Sequence, residues 1–282
     1  MKNGLQQKLP LYCFLGLLLI SAGCCIEIGS CAMQAKYERK AALSEPMQSG
    51  SDFYAQTHNG SITIKGRDVK DCNVIATIVG HATTEEKARE LAERTQVRLE
   101  RQGDKLVTII EKPSPLVNAS ITVSLDITLP KPTNMELVTH NGEVEISNIS
   151  GDINATTHNG QIVTREVSGG AKLETHNGSI ECHDISGNIK LKTHNGEVHT
   201  RYSQSAPSVC EISIISHNGG IELVAPRNLS AAVKVSTHNG SIKTDLPIKV
   251  TGELSKHKIE GTIGAGDGKL YLETYNGSVT IR

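Results

Sequence analysis

Apolar residues return along this chain at a stride of nine. Val144, Ile153, Ile162, Ala171, Ile180, Ile189 and Val198 stand nine residues apart, and a second apolar position two residues further on holds Ile146, Leu173, Cys182 and Leu191, with Leu137 in the same phase. Alternation of apolar and polar positions over such short runs, punctuated by glycine, predicts strands with one buried side. The punctuation is itself repetitive. Thr139-His140-Asn141-Gly142 is copied at His158, His176 and His194 with a stride of 18 residues, and looser copies stand at 57–60, 216–219, 237–240 and, with tyrosine for histidine, 274–277. Midway between copies lies a degenerate echo, Asn148-Ile149-Ser150-Gly151, Glu166-Val167-Ser168-Gly169 and Asp184-Ile185-Ser186-Gly187.

A short fixed period is the signature of a solenoid, whose units bury their apolar side only by stacking on neighbours. Two nine-residue arms form one 18-residue coil with a perimeter of roughly 60 Å at about 3.3 Å per strand residue. The expected fold is all-β, a parallel β-solenoid or β-helix-like roll with one short helix near its N-terminal end. Asn and Gly at a sharp corner are expected to supply positive φ, and stacked asparagines to hydrogen-bond as a ladder. The structural ladder is therefore assigned to Asn141, Gly142, Asn159, Gly160, Asn177, Gly178, Asn195 and Gly196.

Outside the regular coils the pattern changes. Ile62 lies in a predicted strand over 61–65, and further strands are predicted over 72–79, 96–101, 105–111 and 120–128. Thr83 to Ala92 reads as a helix, with Thr83 and Glu86 as its capping box. The stride loosens after His194, so 202–208 and 247–258 are expected to be loops, the usual carriers of specific contacts. The glycine-rich run 261–266 is also expected to be a loop. The terminal strand 278–282 has no evident cap and is expected to leave an open solenoid end able to self-associate.

The N-terminus changes the setting. Two lysines precede an apolar run from Leu9 to Ile20, of signal-peptide length and too short for a confident membrane span. Ser21-Ala22-Gly23-Cys24 resembles a bacterial lipobox, which implies lipidation at Cys24. The boundaries that follow are a signal peptide at 1–23, a flexible tether at 24–50 and a β-solenoid domain at 51–282. Of seven cysteines, Cys13 leaves with the signal; Cys25, Cys31, Cys72, Cys182 and Cys210 specify no pairing, and Cys182 falls on an apolar position of its arm.

Composition narrows the functions. The formal net charge is −1 and there is no Trp; no Lys/Arg cluster marks a nucleic-acid footprint, and there are too few rings for an aromatic sugar platform. Serial Asn-Gly turns followed by x-Ile/Val, the helix led by Thr-Glu-Glu, the Leu129-Pro130 boundary and the lipobox together resemble the bacterial putative-adhesin domain family, over about Phe53 to Arg282. The resemblance implies an Asn-Gly-rich β-solenoid of unknown function in exported or lipid-anchored proteins, and it carries over no functional residue.

Three readings of the chemistry follow. Stacked coils would align His140, His158, His176 and His194, and swinging imidazoles together onto a transition metal is one use of such a column; semi-buried packing is the other, because His140 aligns with Ile149 of the opposite arm. His81, His183, His199 and His257 read as surface residues. The calcium nonapeptide is excluded because its Asp position holds Val144, Ile153 or Ile162. Glu143, Glu145, Glu197, Glu222 and Asp245 are expected on separate outward positions, so no catalytic residue is assigned. The leading function is a non-catalytic envelope scaffold or adhesin-like binding protein with no cofactor and no nucleic acid, exported and lipid-anchored, with an unidentified surface ligand. A His-column metal-binding or sensing protein is the alternative, and an envelope polysaccharide-acting enzyme the third.

Overall fold

The computed structural model describes residues 35–114 and 116–282, the side chains of 253 and 254 excepted. The signal segment, Cys24, Cys25 and Cys31 lie outside the described residues.

The N-terminal part runs β1 (Ala35–Pro46), β2 (Asp52–Asn59), β3 (Ile62–Arg67), β4 (Asp71–Ala82), α1 (Glu85–Arg94), β5 (Gln96–Gln102), β6 (Lys105–Glu111) and β7 (Ser120–Pro130). Regular coils follow as β8 (Asn134–Asn141), β9 (Val144–Ile149), β10 (Ile153–Asn159), β11 (Ile162–Val167), β12 (Ala171–Asn177), β13 (Ile180–Ile185), β14 (Ile189–Asn195) and β15 (Val198–Tyr202). The C-terminal part comprises β16 (Glu211–Asn218), β17 (Ile221–Val224), β18 (Ala231–Asn239), β19 (Ile242–Thr244), β20 (Lys249–Leu254), β21 (Lys258–Ile263), β22 (Gly268–Asn276) and β23 (Val279–Ile281).

Each coil gives one strand to each of two sheets. Sheet A has the order β1-β4-β7-β3-β9-β11-β13-β15-β17-β23-β19, and sheet B the order β20-β21-β18-β22-β16-β14-β12-β10-β8-β2-β6-β5. In the repeats the pairing is parallel and in register, as in Leu173 beside Ala155 and Leu191. The solenoid expectation therefore holds. The nine-stride apolar positions are buried between the sheets, from Val144 to Val198, as are Leu137, Ile146, Leu173, Cys182 and Leu191. Each fully buried Leu or Ile contributes about 1.5–3 kcal/mol of transfer free energy, but only because a neighbouring coil covers it.

Several expectations are corrected. Residues 35–46, assigned to the tether, form β1, which pairs antiparallel with β4 over its whole length; the reason is visible in Ala35, Tyr37, Arg39, Ala41 and Leu43, whose alternate positions are half-buried. The helix starts one residue later than its expected cap: Thr84 is the N-cap, its hydroxyl accepting from the Lys87 amide at 3.3 Å. Helix α1 sets Ala88, Leu91 and Ala92 into the core at the N-terminal end. Its backbone lies so close to β4 that a Cβ on Gly80 would fall 2.1 Å from the Ala88 carbonyl oxygen.

At the other end, 247–258 is not simply a loop. It contains β20 and leads through a turn into β21, and this antiparallel hairpin extends sheet B beyond β18. The glycine-rich run is likewise the end of β21 followed by a turn at 264–266. The expected 202–208 loop holds from 203 onward, where 203–210 connect β15 to β16, but Tyr202 is the buried last residue of β15. The chain terminus is no open end, because β23 lies between β17 and β19, and β22 lies between β16 and β18. The last coil fills a gap that the preceding one leaves, so both sheets continue through it.

Candidate functional site

The four letters Thr-His-Asn-Gly each have a separate physical duty at the corner that follows β2, β8, β10, β12, β14, β16, β18 and β22 in sheet B. The threonine points inward: Thr157, Thr175 and Thr193 are buried and donate to the carbonyls of Gly142, Gly160 and Gly178 at 3.1, 2.9 and 2.9 Å. This pairs a polar group that would otherwise cost about 1–3 kcal/mol when buried. Sequence reasoning missed the role, although the threonine recurs as faithfully as the histidine.

The asparagines form a continuous file. Asn141 donates through Nδ2 to Asn59 Oδ1 at 2.8 Å, Asn159 to Asn141 at 2.7 Å, Asn177 to Asn159 at 2.8 Å and Asn195 to Asn177 at 2.7 Å. The file continues through Asn218, Asn276 and Asn239. The glycines have a different reason from the one expected. Positive φ does not occur at Gly142, Gly160, Gly178 or Gly196. What requires glycine is proximity, since a Cβ on any of these four would lie 1.9–2.0 Å from the carbonyl oxygen of the glycine one coil below.

Positive φ falls instead in the echo, at Asn148, Glu166 and Asp184, with φ of 60°, 55° and 56°. Left-handed backbone at these points breaks the two-residue alternation. The residue that follows, Ile149, Val167 or Ile185, turns inward and is buried, whereas its counterpart after the threonine, His140, His158 or His176, points outward and is exposed. The semi-buried packing expected for the histidines is thereby corrected: the two arms of the coil are not equivalent.

The outward histidines stack. His58, His140, His158, His176, His194 and His217 follow one another with ring centroids 4.6–4.9 Å apart and planes inclined by 1–23°. Tyr275 comes next at 5.1 Å and His238 closes the column 4.5 Å beyond it, in the strand order of sheet B rather than of the chain. The four histidines assigned as metal ligands therefore do come together. The 4.6–4.9 Å between neighbouring ring centroids exceeds twice an N–metal distance of about 2.0–2.1 Å. One ion cannot bridge two neighbours unless the rings leave the stack. Among the described residues no group of three or more His, Cys, Asp or Glu side chains is placed to hold a metal ion.

A groove of about 1070 Å³ runs beside the column on the outer face of sheet B, floored by Gln56, Val138, Thr156, Glu174, Lys192 and Ile215 among others. Lys192 pairs with Glu174 at 3.0 Å, and Lys172 and Lys190 are exposed on the same face. The His194 imidazole is held below its ordinary pKa by partial desolvation, then by His217 and His176 on either side, and by Lys192.

The outer face of sheet A carries a second polar group that the sequence reading treated as scattered. His199 lies between Glu197 at 3.1 Å and Glu222 at 3.3 Å, and Glu222 in turn pairs with Arg282 at 2.9 Å. Glu197 and His199 are neighbours along one strand arm, and Glu222 reaches them because β17 stacks on β15. The shallow depression there, about 310 Å³, also includes His183 and Arg201. Glu222 is already paired with the Arg282 guanidinium and both carboxylates lie within hydrogen-bonding distance of His199, an arrangement typical of a solvated polar network. Cys72 and Cys182 are buried, and burial pushes their thiols up to about 12 and about 11, so neither is a ready nucleophile.

A protein-family model described as Toastrack DUF4097 matches residues 38–282. The chain belongs to the Toastrack DUF4097 family. Solved structures with a similar fold include a "putative adhesin" from Bacteroides fragilis, 13% identical over 86% of this chain and 97% of that one, with a TM-score of 0.48. A "putative cell adhesion protein" from Clostridium sporogenes is 13% identical over 86% of this chain and 99% of that one, with a TM-score of 0.39. A "putative lipid binding protein" from Parabacteroides distasonis is 10% identical over 88% and 97%, with a TM-score of 0.37. No curated protein matches. Within the Toastrack domain of this chain the stacked column is built from the Thr-His-Asn-Gly repeat.

Proposed function

We propose that this Toastrack protein is a non-catalytic scaffold and binding module of the cell envelope, and that it binds through the outer face of sheet B. The observation that carries the reading is the unbroken register of that face: side chains repeat in straight files from β2 to β18, held by the asparagine file and by paired carbonyls. Such a surface is rigid and periodic before any ligand arrives, so little ordering entropy is lost on binding. Glu197 and Glu222, which could serve as an acid-base pair, are instead engaged with His199 and Arg282 on the opposite sheet, which favours binding over turnover.

Charge reversal on the two faces separates this reading from a diffuse role. Lys172→Glu, Lys190→Glu and Lys192→Glu together should lower retention of the full chain on washed bacterial envelopes by about tenfold or more. Lys65→Glu, Arg165→Glu and Arg201→Glu on sheet A should leave it unchanged. Equal loss from both sets, or from neither, would remove sheet B as the binding face.

The anchoring belongs to the same proposal. Among the described residues no helix is long and apolar enough to cross a membrane. The lipobox-like Ser21-Ala22-Gly23-Cys24 supports attachment through a lipid on Cys24, and acylation at a single residue adds about 0.8 kcal/mol per buried methylene. Cys24→Ala should move the full chain from the membrane fraction to the soluble fraction and abolish incorporation of labelled palmitate. Labelling that persists in the variant would refute the anchor.

A further inference from the structure

We propose that Asn239 is a self-modification site: its side chain closes on the Gly240 amide to form a succinimide, and water opens the ring to aspartate or isoaspartate. The site lies at the end of the asparagine file and is independent of what sheet B binds.

Ring closure is favoured at Asn-Gly because glycine has no Cβ to keep the asparagine Cγ away from its nitrogen. The Gly240 nitrogen gives its proton to solvent and bonds to Asn239 Cγ, and the bond from Cγ to Nδ2 breaks as ammonia leaves. Water then adds to the ring. Addition at Cγ restores the main chain with aspartate, and addition at the main-chain carbonyl leaves isoaspartate. The net reaction takes up water and releases ammonia, with nothing oxidised or reduced.

Eight Asn-Gly corners, from Asn59-Gly60 to Asn276-Gly277, stand among the described residues. Seven are locked in two ways. The nucleophile is occupied first: the glycine amide donates to the main-chain carbonyl of the asparagine on the next sheet-B strand at 2.9–3.1 Å, from Gly60 N on Asn141 O to Gly277 N on Asn239 O. The side chain is held as well. From Asn141 to Asn276 along the file each carboxamide donates through Nδ2 on one side and accepts at Oδ1 on the other, at 2.7–2.8 Å. Turning onto its own glycine would break both bonds.

Both locks end at β18. Sheet B continues beyond it into β21, but that hairpin turns back level with the corner, where Thr237 N donates to His257 O at 2.9 Å and Ile242 N to Lys256 O at 3.1 Å. Ser241 N donates to Ser278 Oγ at 3.3 Å. Between these points Gly240 N has no acceptor among the described residues. Asn239 keeps a single side-chain bond, from Nδ2 to Asn276 Oδ1 at 2.8 Å, and it is exposed to water. Asn59, at the opposite end of the file, separates the two locks. Its carboxamide also has one partner, Asn141 at 2.8 Å, yet Gly60 N is bonded to Asn141 O at 3.0 Å. An occupied nucleophile should keep Asn59 intact.

The reaction also removes a rung. A carboxylate has no hydrogen to donate to Asn276 Oδ1. Isoaspartate lengthens the main chain by a methylene at a corner where even a Cβ on Gly240 would lie 2.0 Å from the Gly277 carbonyl oxygen. The last coil is therefore the one that loosens as the protein ages.

The test incubates the full chain in mildly alkaline buffer, folded and in urea, and follows tryptic peptides by mass spectrometry. Asn239 falls in peptide 235–243, Asn276 in 270–282 and Asn59 in 41–65. In the folded chain the gain of about 1 Da, with isoaspartate, should build in 235–243 at least about tenfold faster than at any other corner. In urea all eight corners should react at similar rates. Asn239→Gln should leave the folded chain without a fast site and with an unchanged circular dichroism spectrum. Equal rates across the folded corners, or Asn59 reacting as fast as Asn239, would overturn the proposal. So would a preference for Asn239 that persists in urea, since neighbouring residues and not the missing hydrogen bonds would then select the site.

Discussion

Gly160→Ala should lower the stability of this protein by at least about 3 kcal/mol, a large effect for one methyl group. The added Cβ would fall 1.9 Å from the carbonyl oxygen of Gly142 and 2.6 Å from its carbonyl carbon. Both are backbone atoms of the next coil, with no flexible side chain that could swing aside. Relief requires these two coils to move apart, which would break the hydrogen bond from Gly142 N to Asn159 O, 3.0 Å, and the bond from Val144 N to Gln161 O, 3.0 Å, beside it. For a domain of this size the loss corresponds to roughly 6–12 °C in Tm, read by a thermal melt followed by circular dichroism. Gly103→Ala is the control, since Gly103 has a φ of +63° but nothing within 4 Å of its Cβ position; left-handed strain alone should cost it about 1–2 kcal/mol. If the two variants melt together, close approach is not what holds glycine at the corner.

Leu173→Ala should cost about 2–5 kcal/mol through lost transfer energy and the cavity left behind. Leu173 is fully buried in the middle of the stack, between Ala155 and Leu191 of the adjoining strands. Ala155 already leaves the layer below it small, so the surroundings have little bulk with which to close a void. Leu173→Met, which keeps the volume, should cost less than about 1.5 kcal/mol. Urea titration distinguishes the pair; equal midpoints would mean that the coil interior is not close-packed at this layer. Because each coil touches only its neighbours, the damage of the alanine variant should concentrate in β10, β12 and β14, visible as faster amide exchange there than in β4 and β7.

Much of this organisation was legible in the residues. The nine-residue stride placed the two apolar files, Val144 to Val198 and Leu137 to Leu191, on the inward face, because a strand's two-residue alternation and a fixed turn length leave those positions no freedom in which face they take. The non-equivalence of the two arms was not legible. His140 and Ile149 occupy the same place in the repeat, yet one is exposed and the other buried, and the difference arises from a single left-handed residue at Asn148. Asn, Glu and Asp share that position in successive coils, so no one letter marks it. The threonine role was hidden for another reason: its acceptor is the glycine carbonyl of a different coil, 15 residues away in sequence for Thr157 and Gly142.

By itself the sequence determined the solenoid, its period, its core and the presence of an aligned file of histidines, since all of these follow from local periodicity and from the identity of the repeats. Only the tertiary structure decided the order of the coils. Identical corners pair equally well in any sequence, and Asn276 fits between Asn218 and Asn239 as readily as at the end. The choice belongs to the connections: the segment 225–230 is long enough to step over one strand position, about 10 Å, and the β20–β21 hairpin returns the chain along the far side of β18. The space so left is filled by β22 and β23. The same step carries Tyr275 into the column ahead of His238, so even the composition of the candidate site along its length is set by how the chain doubles back.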